Sequence, residues 1–140
     1  MRIKKTVDNL VLTHQTKDPY KISKQLGITI IEENLGSING YYNEILGIKF
    51  IHINENLSDS RKQFTVAHEL GHAILHPNFN QHFLKKHTLF NIDRYEKEAN
   101  KFAIHLISDE RTKNLKTVEE FISFFDWSDN DGFSECSQAW

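Results

Sequence analysis

Between Arg61 and His76 the apolar residues Phe64, Ala67, Leu70, Ile74 and Leu75 recur at steps of three or four, and Pro77 closes the run. Such spacing predicts an amphipathic helix, with Asp59 and Ser60 just upstream as candidate caps. This helix constrains the fold more than any other stretch, because its polar residues are not scattered. His68 and His72 stand four apart and share one face, and Glu69 follows the first of them. Two imidazoles so placed can hold one divalent cation, which requires a third group brought in from elsewhere in the chain. Gly71 between them allows another backbone or a ligand to come close.

The order His68-Glu69-Leu70-Gly71-His72 is the arrangement expected of a zinc peptidase, with Zn2+ on the imidazoles and Glu69 as the base that takes a proton from water. The residues after His72 exclude one large class of such enzymes. That class needs glycine and histidine three and six places on, where this chain has Leu75 and Asn78. The third ligand must therefore be more distant. Glu96 and Glu98 lie on the next helical stretch, Tyr95 to Ile107, whose inward stripe is Tyr95, Ala99, Phe102, Ala103 and Leu106. Glu96 falls roughly 60° from the centre of that stripe and Glu98 roughly 100° away on the other flank. Glu96 is thus the expected ligand and Glu98 a solvated charge. Asn100, one turn after Glu96, is a candidate to orient a ligand histidine through its other ring nitrogen, or else a plain exposed helix residue.

A chain of 140 residues with 39% hydrophobic content can bury one core, so residues 1–127 are expected to form a single domain and 128–140 a polar tail. Seventeen basic residues against nineteen acidic ones give a net charge of -2, so no positive field draws the chain to nucleic acid. The single cysteine, Cys136, fits a reducing compartment and stands far from the histidines. No apolar run is long enough for a signal sequence or a membrane span, which predicts a cytoplasmic protein.

Upstream of the metal-binding stretch, Ile3, Val7, Leu10 and Val11 are spaced for a first helix. Asp18-Pro19 reads as the cap and first residue of a second, which Gly27 ends. Residues 28–32, 38–42 and 48–54 read as three short strands, the last two joined by a loop at 43–47. The strand at 48–54 is apolar on both faces, and its free edge either receives an extended peptide or is an ordinary strand edge. Residues 78–93 read as a connector, and Thr117-Val118-Glu119-Glu120 as a capping box opening a last helix through Phe121, Phe124 and Phe125.

Three blocks together resemble the ImmA/IrrE family of metallo-endopeptidases: Phe50 to Asn54, Phe64 to His76, and Glu96 to Ala103. They occur in that family's order and at similar spacing, and the likeness runs from about Asp18 to Ile107. It implies a compact α+β, zincin-like domain, in which a small three-stranded sheet packs with the helix of His68 and His72, a third-ligand helix and flanking helices. The ligand set it implies is His68, His72 and Glu96, with Glu69 catalytic. It also implies a protein substrate, a helix-turn-helix repressor of a phage or other mobile element, cut at a specific site.

Peptide hydrolysis also needs a donor for the developing oxyanion, for which Tyr41, Tyr42, His52, His76, Tyr95 and His105 are candidates. His76 stands out because it continues the four-residue series, although a histidine at a helix end is also favoured by the dipole alone. Two other readings stand beside the peptidase. One is an anti-repressor that keeps the fold and acts by binding a transcription factor, and the other a domain that uses zinc only for structure.

Overall fold

A computed structural model of the protein describes residues 2–77, 89–115 and 117–128. Its elements are α1 (Arg2–His14), α2 (Pro19–Gln25), β1 (Thr29–Glu33), β2 (Gly40–Ile45), β3 (Ile48–Asn54), α3 (Asp59–Leu75), α4 (Leu89–Ile107) and α5 (Val118–Ser128). This is the expected α+β architecture, a three-stranded sheet with helices around it.

The helix starts follow from side chains that occupy otherwise unpaired backbone groups. The Asp18 carboxylate accepts from the Tyr20 N–H at 2.9 Å, with Pro19 at the first turn of α2. At α5, Thr117 Oγ1 accepts from the Glu120 N–H and Glu120 Oε1 from the Thr117 N–H, both at 3.1 Å, the reciprocal bonds of a capping box. The cap of α3 is Ser58, one residue before the candidates: its Oγ accepts from the Arg61 N–H, and Asp59 already lies inside the first turn. There its negative charge favours the positive end of the helix dipole.

The strands run in the order β1-β3-β2, with β1 parallel and β2 antiparallel to β3. β3 is therefore the centre of the sheet and has no free edge to offer a peptide, because its ladder groups are taken on both sides. The expected loop at 43–47 is also shorter than read. Pairing continues to Ile45 opposite Ile48, so Asn43 and Glu44 belong to β2. Only Leu46 and Gly47 turn the chain, at φ 52° and 81°. Two successive residues at positive φ match the twist of the flanking strands, which makes so tight a turn possible.

One face of the sheet packs on α3. Ile51, Ile53 and Tyr42 point to it, and Lys62 of α3 reaches Glu32 of β1 at 3.0 Å. By the alternation of strand residues, Tyr41 and His52 point to the opposite face. α4 packs along another side of α3, contributing Ala99, Phe102, Ala103 and Leu106 to the same core. All ten residues from Phe64 to Ala73 are consequently buried. A helix enclosed by a sheet and a second helix exposes little of its middle, so the amphipathic pattern understates how deeply the histidines lie.

Gly71 sets how close the two helices come. A Cβ at this position would lie 3.1 Å from Phe102 Cβ, Cγ and Cδ1, so only a hydrogen fits comfortably between α3 and α4. α4 itself begins at Leu89, well before Tyr95, so the last residues read as connector are helical. Residues 78–88 and 129–140, including Phe79, Phe83, Leu84 and Cys136, lie outside the described residues. Among the described residues no helix is long and apolar enough to cross a membrane.

Candidate metal centre

α3 presents His68 and His72 one turn apart, and α4 brings Glu96 against both. His68 Nε2 is 2.8 Å and His72 Nε2 3.3 Å from the same oxygen, Glu96 Oε1. One donor atom from each of the three residues lies within 4.8 Å of the others, and among the described residues this is the one group of its kind. A tetrahedral cation with ligands at 2.0–2.1 Å spaces them about 3.3 Å apart, so the donor set and its dimensions suit zinc. The histidines are 1% and 0% exposed, which places the cluster beneath the surface.

Burial and proximity divide the charges unevenly. Burial opposes the charge on His68, but the hydrogen bond to Glu96, the charges of Glu69 and Glu96, and the bond to Asn100 outweigh it and raise its pKa. His72 goes the other way, to about 4, because burial dominates and the neighbouring His68 and His76 disfavour a second positive ring. Burial would raise Glu96, yet its bonds to the two histidines hold its carboxyl well below the usual range. A carboxylate stabilised by two imidazoles is an anionic corner that a divalent cation can replace protons to occupy.

Glu69 is 1% exposed, and burial pushes it up to about 7. Among the described residues its Oε1 has no hydrogen-bond partner. A buried carboxyl oxygen left unpaired beside a cluster of ligand type is costly to folding, and such groups are common where a proton has to be moved.

The surroundings of the cluster come from three alternate positions of α4. Asn100 Oδ1 is 2.7 Å from His68 Nδ1, on the side of the ring away from Glu96. Glu98, read from sequence as a solvated charge, instead has Oε1 2.7 Å from His76 Nε2, and its side chain is 26% exposed. The angle of Glu98 on α4 does not reveal this partner, because His76 sits one turn past His72, at the end of α3, and reaches the flank of α4. His76 Nδ1 in turn lies 3.1 Å from His72 Nδ1.

The oxyanion candidates are spread over the fold. Tyr41 stacks on His52 at 4.2 Å on the sheet face turned away from α3, and His52 is held by Glu33 at 2.6 Å. His105 lies among residues of α1, lining a hollow with Val7, Asp8, Val11, Leu12 and Lys17. Tyr95 packs on the His76 ring at 4.3 Å. Tyr42 faces α3, is 3% exposed, and has a buried hydroxyl with no partner among the described residues.

Comparison with known proteins places this geometry in a family. The chain is 42% identical over 106 residues to the uncharacterized immunity region protein 2 of Bacillus phage phi105, covering 75% of this chain and 67% of that one. It is 35% identical over 114 residues to metallopeptidase ImmA of Bacillus subtilis strain 168, covering 80% of this chain and 66% of the relative. The matches thus span about two thirds of each relative's length. Residues 23–114, which hold the sheet, α3 and α4 with all three clustered side chains, match the Peptidase_M78 model, described as the IrrE N-terminal-like domain, and the chain belongs to that metallopeptidase family.

Proposed function

We propose that the protein is a zinc-dependent endopeptidase, with residues 1–127 acting as one catalytic domain, His68, His72 and Glu96 as metal ligands and Glu69 as the general base. The observation that carries this reading is the convergence of two imidazole nitrogens and one carboxylate oxygen beside a buried carboxyl whose Oε1 has no partner among the described residues. Zinc bound there supplies Lewis-acid chemistry, making water more acidic and polarising a peptide carbonyl.

The rest of the work falls to the chain itself. Glu69, buried next to His68, is placed to take a proton from the attacking water and return it to the leaving amine. Asn100 accepts from His68 Nδ1–H, which leaves the Nε2 lone pair directed at the cluster. The buried setting strengthens each of these interactions by excluding bulk water.

The substrate we propose is a protein, a helix-turn-helix repressor of a phage or integrative element, cut at one site inside the cytoplasm. One relative is named a metallopeptidase and the other a phage immunity region protein, which supports a role in control of such an element. The test is incubation of the zinc-loaded chain and its Glu69→Gln variant with the repressor encoded beside its gene. A single cut by the wild type, lost in a variant that still holds zinc, is the expected result. Equal cleavage by the variant overturns the mechanism, and repressor inactivation without a cut by both proteins overturns the peptidase in favour of action by contact.

A further inference from the structure

We infer that His76, anchored by Glu98, is the positioning residue that fixes the ring of His72 with Nε2 turned to the metal; this rests on the metal-centre reading proposed above. The cluster leaves the two histidines with different neighbours. His68 is steadied by an amide, Asn100, whose oxygen is an unambiguous acceptor. His72 has a second imidazole at the equivalent place, His76 Nδ1 at 3.1 Å, and an imidazole nitrogen is donor or acceptor according to where its proton sits.

The direction of the chain of bonds follows from its two ends. Nε2 of His72 has to present a lone pair, so its Nδ1 carries the proton and donates to His76 Nδ1. That nitrogen is then an acceptor, and the neutral His76 ring carries its own proton on Nε2. There it donates to Glu98 Oε1 at 2.7 Å, an oxygen that in the carboxylate form can only accept. One carboxylate near the surface thereby selects the tautomer of His76, and His76 selects that of His72.

The packing suits such a task. His72 and His76 are 0% and 7% exposed, so the link between them is shielded from water that could substitute for either partner. The Tyr95 ring, 4.3 Å from His76, limits the plane of that imidazole. Glu98 Oε2 is 3.5 Å from Arg94 Nε one turn back on α4, which holds the carboxylate at the rim. Loss of this acceptor would remove the 3.1 Å bond that sets the tautomer and orientation of the His72 ring.

The test is zinc affinity by chelator competition on the full chain, with metal-free thermal unfolding alongside. His76→Phe keeps the ring packing and removes the acceptor, and a 10- to 100-fold weaker zinc affinity is expected. His76→Asn places an amide oxygen near the former Nδ1 and is expected to recover most of that loss. Nitrogen-15 spectra of the zinc-loaded wild type should show His76 protonated on Nε2. Wild-type affinity in His76→Phe overturns the inference alone, as does an Asn variant no better than Phe, or a His76 protonated on Nδ1. A wild-type chain that takes up no zinc overturns the metal-centre reading and this inference with it.

Discussion

His68 and Asn100 meet through Nδ1 and Oδ1 at 2.7 Å, so α3 and the helix that brings Glu96 are tied on both sides of the His68 ring. Asn100→Ala should weaken zinc binding by about tenfold, and Asn100→Asp should retain it because the acceptor remains. Chelator competition reads both. Wild-type affinity in the alanine variant would show that packing alone orients His68.

Glu69 links the site to pH. Burial raises its pKa to about 7, the Glu96 carboxylate adds to the rise, and His68 opposes it. In the unfolded chain a glutamate titrates near ~4.3, so the folded state binds the proton more tightly. Its contribution to stability is therefore present at pH 4 and lost as the pH climbs to about 7. Metal-free Glu69→Gln should be more stable than wild type by on the order of 2 kcal/mol at pH 8 and about equal at pH 4. Urea unfolding in chelator at the two pH values reads the difference, and a gap of the same size at both would exclude ionisation as its origin.

Gly71→Ala adds a methyl 3.1 Å from three atoms of Phe102, closer than ordinary van der Waals contact. A loss of about 1–3 kcal/mol is expected, with or without metal, because α3 and α4 must separate slightly. In a chain carrying Phe102→Ala, which removes Cγ and Cδ1, the same change should cost less, and a double-mutant cycle with no coupling would show the strain is relieved elsewhere.

Leu46 occupies the left-handed region at φ 52° and is 96% exposed at the tip of the hairpin. Leu46→Asn should stabilise the fold by about 1 kcal/mol, since asparagine adopts this conformation more easily and no apolar burial is given up. Thermal unfolding reads it, and zinc affinity should stay constant because the turn lies at the far end of β2 and β3 from their contacts with α3.

Metal removal should lower stability without dissolving the fold. The core of Phe64, Leu70, Phe102, Leu106, Ile51 and Ile53 is apolar and includes none of the clustered side chains. At zinc about 100-fold above its dissociation constant, chelation should cost about 2.7 kcal/mol. Helical circular dichroism should survive it, and collapse of that signal at room temperature would point to a purely structural metal.

The sequence by itself determined the elements whose causes are local. The 3.6-residue rhythm of Phe64, Ala67, Leu70 and Ile74 makes α3 a helix, Asp18-Pro19 starts α2, and Thr117 with Glu120 starts α5, because each depends on residues within a turn or two of one another. The placement of His68 and His72 on one face was legible for the same reason, and that of Glu96 toward them from the stripe of α4. Tertiary structure alone decided the rest. That β3 is central depends on a parallel pairing with β1, which no local pattern encodes. Glu98 reaches His76 because of how α4 lies along the end of α3, and the burial of all ten residues from Phe64 to Ala73 needs the sheet and α4 on different sides at once. A periodicity reports which face of an element is apolar; it carries no information about which element covers that face, or at what angle.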